Sequence, residues 1–364
     1  MNKNKLRYAL SRNIKSIPRL LLTFTDNYLV AMTQKTPRRG PLFFVWDIAA
    51  SCNLRCPFCG FWKAGQVPAQ IKKEPDLRQK IKIIKNIAES GVWFLSLCGG
   101  EPLLCKDLDD VIREAKSSGM IVNVSTNGFL LEEKAESMIR GGVDFITISI
   151  DGPDAETVDK IRGRDGLFDK IENGIKAIRN FSTRSPVFIE ARYLINKQNY
   201  LFVEDFAGHF REKVDAISFK PIYKNTELSY DVPEYMRFSA EDEPAFRKCF
   251  EGLLRKYKIL NTVYHRNIPS FIFHPEKLKD KFLCFAGTFF GGADVSGNLL
   301  PCHELTMSPN VPIGNLNDTN LIDLWHSAEM QDLRCAFRSG ARCDCWMDRF
   351  SLNIPLQKIT GLKI

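Results

Sequence analysis

The sequence predicts an α/β fold assembled from successive βα units, and three observations carry that expectation. From residue 41 to about 225, six apolar runs of strand length alternate with five amphipathic segments of helical spacing. An unbroken alternation of this kind favours parallel strands joined by right-handed helical crossovers. Four short motifs each follow directly on an apolar run, at the edge where strands of such folds end and functional loops begin.

The predicted strands cover 42–49, 92–98, 120–125, 145–150, 187–194 and 216–222, and the predicted helices 76–89, 108–117, 131–140, 168–179 and 200–211. A stretch containing Pro and acidic residues precedes a helix-like segment at 245–257, so 226–281 reads as a bridge. The cysteine-bearing segment 282–348 and a tail, 349–364, follow it. Hydrophobic residues make up 44% of the 364-residue chain and charged residues 26%, the balance of a soluble globular protein. Eleven cysteines fall in two clumps, and the N-terminus carries no signal-peptide pattern. A reducing cytoplasm with metal sites is therefore expected rather than a disulfide framework.

The formal charge of +8 is concentrated in residues 1–40, which hold nine Lys and Arg against the single acid Asp26 and leave 42 basic and 42 acidic residues elsewhere. Leu6, Leu10, Ile14, Ile17 and Leu21 recur there at helical spacing among basic residues. That pattern suits a helix lying on an anionic membrane surface, or equally an arm packed on its own catalytic domain. No apolar run in the arm is long enough to span a bilayer. Its charges show little aromatic interleaving, so no nucleic-acid partner is expected.

The first motif is Ala50-Ser51-Cys52-Asn53-Leu54-Arg55-Cys56-Pro57-Phe58-Cys59-Gly60. Three thiolates spaced Cys-x3-Cys-x2-Cys in one loop suit a polynuclear iron–sulfur cluster better than a four-ligand zinc site, since no fourth Cys or His lies in the loop. On a cubic cluster they leave one iron open. Cys52, Cys56 and Cys59 match the signature of the radical S-adenosylmethionine (SAM) enzymes, and the chain resembles that superfamily over about half its length. The resemblance implies a partial (β/α)6 TIM-like barrel and a [4Fe–4S] cluster whose fourth iron chelates SAM. It also implies reductive cleavage to a 5′-deoxyadenosyl radical and an outside electron donor such as a flavodoxin or ferredoxin.

Further site residues follow from the same resemblance. Phe58 is implied to pack near the adenine. Gly99-Gly100-Glu101-Pro102 resembles the GGE motif that holds the SAM amino group; glycines permit close backbone approach there. Ser125-Thr126-Asn127-Gly128 offers groups for the ribose, although an ordinary strand-to-helix turn has the same composition. Ser149-Ile150-Asp151-Gly152, with Arg162 ten residues beyond it, resembles a segment in which the serine meets the ribose and the arginine pairs with the SAM carboxylate. A guanidinium suits that task through its two-pronged geometry. Arg164 is the rival, and Arg192 either faces the ligand or forms a surface pair with Glu190.

The C-terminal order is Cys284, Asp294-Val-Ser-Gly297-Asn-Leu-Leu-Pro301-Cys302, Ile313-Gly314-Asn315-Leu316, Leu324-Trp325 and Cys343-Asp344-Cys345. The Ser-Gly-Asn turn reads as a hairpin presenting Cys302. The whole resembles the SPASM/Twitch auxiliary-cluster domains, implying a second [4Fe–4S] cluster on Cys284, Cys302, Cys343 and Cys345. Cys335 is an alternative member, and a zinc site on the same thiols is the structural alternative. The expected activity is therefore hydrogen abstraction from an unactivated C–H bond. The substrate is expected to be membrane-associated or lipid-like, with a ribosomal peptide or a sugar or aminocyclitol alcohol as runners-up. A radical SAM methyltransferase and a non-enzymatic metal-binding protein are the rival classes. The sequence names no residue that moves a proton after abstraction.

Overall fold

The computed structural model describes residues 3–33, 35, 37–62, 74–183, 185–222, 232–260, 262–278, 281–305, 313–338 and 355–358. Two helices open the chain, α1 (Lys3–Arg12) and α2 (Ile17–Thr33). The βα alternation follows as β1 (Phe43–Ala49), α3 (Leu77–Glu89), β2 (Phe94–Gly99), α4 (Leu108–Ser117), β3 (Ile121–Thr126), α5 (Leu131–Gly141) and β4 (Phe145–Ser149). It continues through α6 (Ala155–Arg162), α7 (Leu167–Phe181), β5 (Phe188–Ile195), α8 (Val203–Phe210) and β6 (Ala216–Pro221). Beyond it lie α9 (Glu243–Lys256), α10 (Val263–Arg266), α11 (Ile268–Phe273), the strands β7 (Phe290–Ala293) and β8 (Leu299–Leu300), α12 (Leu321–Trp325) and α13 (Ala328–Arg338).

All six expected strands form within a few residues of their predicted limits, in the sheet order β6-β5-β4-β3-β2-β1-β7-β8. The first six are parallel throughout, as the alternation requires. Some helices start at a capping side chain. At α3, for example, Asp76 accepts from the Gln79 amide while the Gln79 side chain accepts from the Asp76 amide, closing a capping box. The short helix α6 was not expected from the sequence. Asp154 caps it by accepting from the Thr157 amide, a signal confined to one residue.

Strand residues alternate between two environments. Phe44, Trp46, Ile48, Leu95, Leu97, Val122, Val124, Ile146, Ile148, Ile189 and Ala191 are buried in the large core that also contains residues of the surrounding helices. Their neighbours in sequence face inward, and they change character along the barrel axis. At the amino-terminal end Phe43, Phe94, Ile121, Phe145 and Phe188 form a second apolar cluster, an aromatic floor. Towards the carboxyl ends the inward positions are polar. The inward face is curved enough that Lys5 Nζ lies 5.9 Å from the Phe94 ring centroid, 5.2 Å from that of Phe145 and 2.6 Å from Glu190 Oε2. Strands β2, β4 and β5 thus converge on one ammonium group, which gives the sheet its partial-barrel form.

The basic arm closes the floor from below. Tyr8 packs against Phe145 and Phe188, and Trp93 donates to Ser16 Oγ at 3.0 Å. Asn27, wholly buried, donates to the Gly40 carbonyl at 3.0 Å and accepts from the Leu42 amide at 2.9 Å, fixing the entry to β1. Of the two sequence readings of the arm, packing on the catalytic domain is what the structure displays. Its outer side nonetheless keeps Ile14, Leu21, Leu22 and Leu29 more than half exposed. No helix among the described residues is long and apolar enough to cross a membrane.

The expected Ser-Gly-Asn hairpin is present as β7 and β8, and it extends the barrel sheet. β7 pairs with β1 in parallel, Phe43 opposite Phe290, and Trp46 Nε1 donates to the Asp294 carbonyl at 3.1 Å. Asn86 on α3 adds a second tie, donating to the Leu316 and Thr319 carbonyls at 2.9 Å each and accepting from the Leu321 amide at 2.7 Å. Replacing Asn27 with Ala strands two buried backbone groups and should lower the unfolding free energy by roughly 2–6 kcal/mol, at about 1–3 kcal/mol per unsatisfied group. A chemical-denaturation midpoint within error of the parent would contradict the arm's role in the floor.

Candidate active site

The site begins where β1 and β2 leave the sheet side by side. The Gly100 amide donates to the Ala49 carbonyl at 2.8 Å and the Glu101 amide to the Ser51 carbonyl at 2.9 Å. A Cβ on residue 100 would lie 2.3 Å from the Ser51 carbonyl oxygen, and one on residue 99, where φ is +122°, 2.5 Å from that of Ala49. Only glycine admits backbone contacts this close, so the Gly-Gly pair seats the start of the cysteine loop. Pro102 then opens a short 3-10 turn.

Glu101 is completely buried. Its Oε1 accepts from the Leu103 amide at 3.0 Å and the Thr126 hydroxyl at 2.7 Å, and its Oε2 from the Asn127 amide at 2.8 Å. Burial pushes this carboxyl up to about 7, the hydrogen bonds offsetting only part of the desolvation. The side chain therefore ties the second motif to the third and is enclosed by them.

Asn127 passes that tie to the cysteine loop. Its Nδ2 donates to Asn53 Oδ1 at 2.8 Å and stands 3.8 Å from Cys52 Sγ, which also accepts from the Leu54 amide at 3.4 Å. The Cys59 amide donates to the Cys56 carbonyl at 3.1 Å, closing a turn across the Cys-x2-Cys pair. Trp62 Nε1 donates to the same carbonyl at 2.8 Å, and Arg55 Nη1 donates to the Cys52 and Leu54 carbonyls at 2.7 and 2.8 Å. Sequence reasoning gave no role to Trp62, Arg55 and Asn53, which show no distinctive spacing, and read the Thr126 hydroxyl with the ribose segment, whereas it donates to Glu101.

The loop suits an iron–sulfur cluster. Burial raises the Cys52 thiol and pushes the Cys56 thiol up to about 12, so these sulfurs resist ionising until a cation displaces the proton. Asn53 Nδ2 is buried with no hydrogen-bond partner among the described residues, a donor of the kind a cluster sulfide or a ligand oxygen takes up. Among the described residues no three Cys, His, Asp or Glu side chains converge as one ion would require. Cluster ligands stand on separate iron atoms and lie farther apart.

Arg162 and Arg164, rivals in sequence, occupy different environments. Arg162 Nε lies 2.6 Å from Oδ2 of the fully buried Asp151, and its guanidinium lies 5.6 Å from the Phe58 ring centroid. Burial works against its charge, but Asp151 and then Cys56 outweigh it and hold the guanidinium protonated. Asp151 Oδ1 accepts from the Leu194 amide at 2.8 Å, locking the segment after β4 to β5. Arg164 is exposed, 4.5 Å from the Phe129 ring centroid. Ser125 and Ser149 sit half-buried near the ends of β3 and β4.

Below this mouth the lumen is polar. Asn123 donates to Ser96 Oγ at 2.8 Å and accepts from Thr147 Oγ1 at 3.0 Å, a belt that crosses β2, β3 and β4. Arg192 contacts Glu190 at 3.2 Å, and both residues lie inside the barrel rather than on its surface. On the opposite wall Asp47 Oδ1 lies 2.8 Å from His303 Nε2, while Oδ2 is buried with no hydrogen-bond partner among the described residues. Burial disfavours the charged His303, but Asp47 outweighs it and the imidazole is pushed up to about 10. An acid within the apolar run 42–49 was the only sequence sign of this pair.

The auxiliary cysteines are described in part. The Gly287 amide donates to the Pro301 carbonyl at 2.8 Å, which brings the segments carrying Cys284 and Cys302 together at one end of the hairpin. Cys302 is buried and Cys335 exposed on α13. Cys343 and Cys345 lie outside the described residues.

Comparison with known proteins agrees with this geometry. Residues 47–192 match the family model of the radical SAM superfamily, and residues 284–346 match that of an iron–sulfur cluster-binding domain, SPASM. The chain is 23% identical over 332 residues to a PqqA peptide cyclase of Rhizobium meliloti, covering 88% of this chain and 80% of that protein. It is 34% identical over 152 residues to an AdoMet-dependent heme synthase of Methanosarcina barkeri, covering 42% of this chain but only 41% of that protein. In fold it resembles SuiB of Streptococcus suis with a TM-score of 0.63 at 15% identity, over 85% of this chain and 71% of that one. SuiB has also been solved with S-adenosylmethionine and with its precursor peptide SuiA.

Residues 47–192 thus form a radical SAM domain and residues 284–346 a SPASM iron–sulfur domain. Both are domains of enzymes whose cofactors are [4Fe–4S] clusters and SAM.

Glu101 yields a test of the site's scaffold. Its folded-state pKa of about 7 exceeds the ordinary 4.5, so the wild type loses stability as pH rises between those values and the buried carboxyl ionises. The stability difference between wild type and Glu101→Gln should therefore shrink in the wild type's disfavour from pH 5 to pH 8 in urea melts. A difference that stays constant over that range would mean that the buried carboxylate is already ionised at pH 5.

Proposed function

We propose that this chain cleaves SAM at a [4Fe–4S] cluster held by Cys52, Cys56 and Cys59 and directs the resulting radical at an unactivated C–H bond of a substrate in the polar lumen. The observation that carries this reading is the placement of the cysteine loop at the carboxyl mouth, locked by Gly99, Gly100 and Glu101, directly over that lumen. With its cofactors bound, the site supplies a 5′-deoxyadenosyl radical, and an auxiliary [4Fe–4S] cluster on Cys284, Cys302, Cys343 and Cys345 supplies a route for an electron. The reductant is a small donor such as a flavodoxin or ferredoxin.

The chain's own residues bind and orient. Since the Glu101 carboxylate is enclosed, the backbone of the Gly99–Pro102 turn meets the SAM amino group. Arg162, kept charged and aimed by Asp151, and Arg192 from the lumen side serve the SAM carboxylate through charge-assisted bonds. Phe58 covers the adenine, and Ser125, Asn127 and Ser149 border the ribose. Asp47, with one oxygen on His303, offers its other oxygen to a hydroxyl or amide N–H of the substrate. A lumen lined with Asp47, Asn123, Thr147, Glu190 and Arg192 suits a polar group and rejects a bare hydrocarbon, because such groups lose their solvation without compensation. That chemistry favours a peptide segment or a hydroxylated small molecule, in keeping with the peptide-directed relatives.

A membrane location is a second reading, favoured by Ile14, Leu21, Leu22 and Leu29 exposed beside the exposed Arg7, Arg12 and Lys15. It concerns where the enzyme works and leaves the lumen chemistry unchanged.

Anaerobic reconstitution with iron, sulfide, SAM and dithionite should yield 5′-deoxyadenosine, and Cys56→Ala should reduce it to background. Turnover that survives this substitution would end the proposal, and S-adenosylhomocysteine as the co-product would move it to methyl transfer. In flotation with anionic liposomes, the intact protein should rise with the vesicles and the triple substitution Leu21→Glu, Leu22→Glu, Leu29→Glu should not. Equal flotation of the two would remove the membrane reading.

A further inference from the structure

One buried charge in the C-terminal module has no opposite charge beside it. Among the described residues three Lys or Arg residues are buried: Lys5, Lys80 and Arg334. Lys5 touches Glu190 at 2.6 Å and Lys80 touches Asp107 at 3.0 Å. Arg334 on α13, only 3% exposed, touches no carboxylate among the described residues. Its Nε donates to the Gly287 carbonyl at 2.5 Å, its Nη1 to Gln331 Oε1 at 3.0 Å and its Nη2 to the Trp325 carbonyl. The guanidinium also lies 5.1 Å from the Trp325 ring centroid. Every one of these partners is neutral. A clamp on the end of α12 needs N–H donors but no charge, and neutral partners offset only part of what desolvating a cation costs.

Arg334 stands where the cysteine-bearing segments of the module meet. A Cβ on Gly287, just beyond Cys284, would lie 3.2 Å from Arg334 Cγ and 3.8 Å from Pro301 Cβ. The Gly287 amide donates to the Pro301 carbonyl at 2.8 Å, and Cys302 follows Pro301. Cys335 follows Arg334 itself, with Gln331 Nε2 3.9 Å from its sulfur. The indole N–H of Trp325 is buried with no hydrogen-bond partner among the described residues. A cation lacking an acid and a donor lacking an acceptor both fit an anionic, sulfur-rich group, which an iron–sulfur cluster on thiolates is.

We propose that Arg334 is the counter-charge of the auxiliary cluster and holds its reduction potential up without ligating it. A fixed positive charge in surroundings of low dielectric favours the more negative, reduced state of the cluster. This rests on the reading that Cys284 and Cys302 hold a [4Fe–4S] cluster, so the test separates the two.

The experiment uses a Cys52→Ala/Cys56→Ala/Cys59→Ala background, in which only the auxiliary cluster remains. Arg334→Lys, Arg334→Gln, Gln331→Glu and Cys302→Ala are compared within it after reconstitution with iron and sulfide. Each is measured for iron content, for midpoint potential by a redox titration followed by electron paramagnetic resonance, and for melting temperature before reconstitution. Arg334→Gln should lower the potential by about 59 mV, a tenfold change in a one-electron equilibrium. Arg334→Lys keeps the charge and should stay within about threefold of the parent equilibrium. Gln331→Glu sets a carboxylate against Arg334 and leaves the arginine's own hydrogen bonds in place. It should lower the potential as Arg334→Gln does, yet raise the melting temperature of the cluster-free protein by supplying the missing opposite charge.

A clamp alone would give early melting in Arg334→Gln and parent potentials in both that variant and Gln331→Glu; that result overturns the proposal. Should Arg334→Gln fail to fold or to take up iron, the Gln331→Glu potential decides by itself. Parent iron content in Cys302→Ala, or a metal centre with no redox transition, withdraws the auxiliary cluster and this inference with it.

Discussion

Everything at the mouth of this barrel depends on how closely two strands end together. β1 and β2 leave the sheet with the backbone of Gly99 and Gly100 pressed against that of Ala49 and Ser51, at separations no side chain would permit. Those contacts fix the first residues of the cysteine loop. Glu101 then carries the constraint to β3 through Thr126 and Asn127, and Asn127 returns it to Asn53 beside Cys52. The loop is held from both sides by groups that are themselves buried. A cluster site needs such support, because ligands presented by an unsupported loop lose the pre-organisation that metal affinity requires.

The same barrel solves a problem of buried charge in two ways. Near the mouth, Asp151 and Arg162 form a tight pair in which one partner keeps the other ionised. In the lumen, Glu190 is shared among Lys5, Arg192 and Ser218, and Asp47 is matched by His303. Each arrangement satisfies the carboxylate, since an isolated buried charge would be too costly to retain.

The ends of the chain complete the barrel rather than decorate it. The basic arm seals the amino-terminal floor with an aromatic cluster and sends Lys5 through it. The C-terminal hairpin pairs with β1 and brings His303 against Asp47, next to the strand position that faces Cys98. The SPASM segment thus shares a wall with the radical SAM chamber through residue Cys302's immediate neighbour.

By itself the sequence determined whatever depends on near neighbours. Strand and helix periodicity, the Cys-x3-Cys-x2-Cys spacing, the Gly-Gly turn and the Ser-Gly-Asn hairpin are local patterns, and each forms where it was expected. Only the tertiary structure decided matters set by distant partners. Arg162 and Arg164 are equivalent by spacing, and burial against Asp151 and Phe58 separates them. Glu101 reads as a ligand group until Thr126 and Asn127 enclose it. Lys5 and Glu190 stand 185 residues apart, and Asp47 and His303 256 apart, so no periodicity links them. The arm read equally as a membrane helix or a packed one, because both bury a leucine face beside lysines. The choice was made by an aromatic floor that exists only once the strands have closed around it.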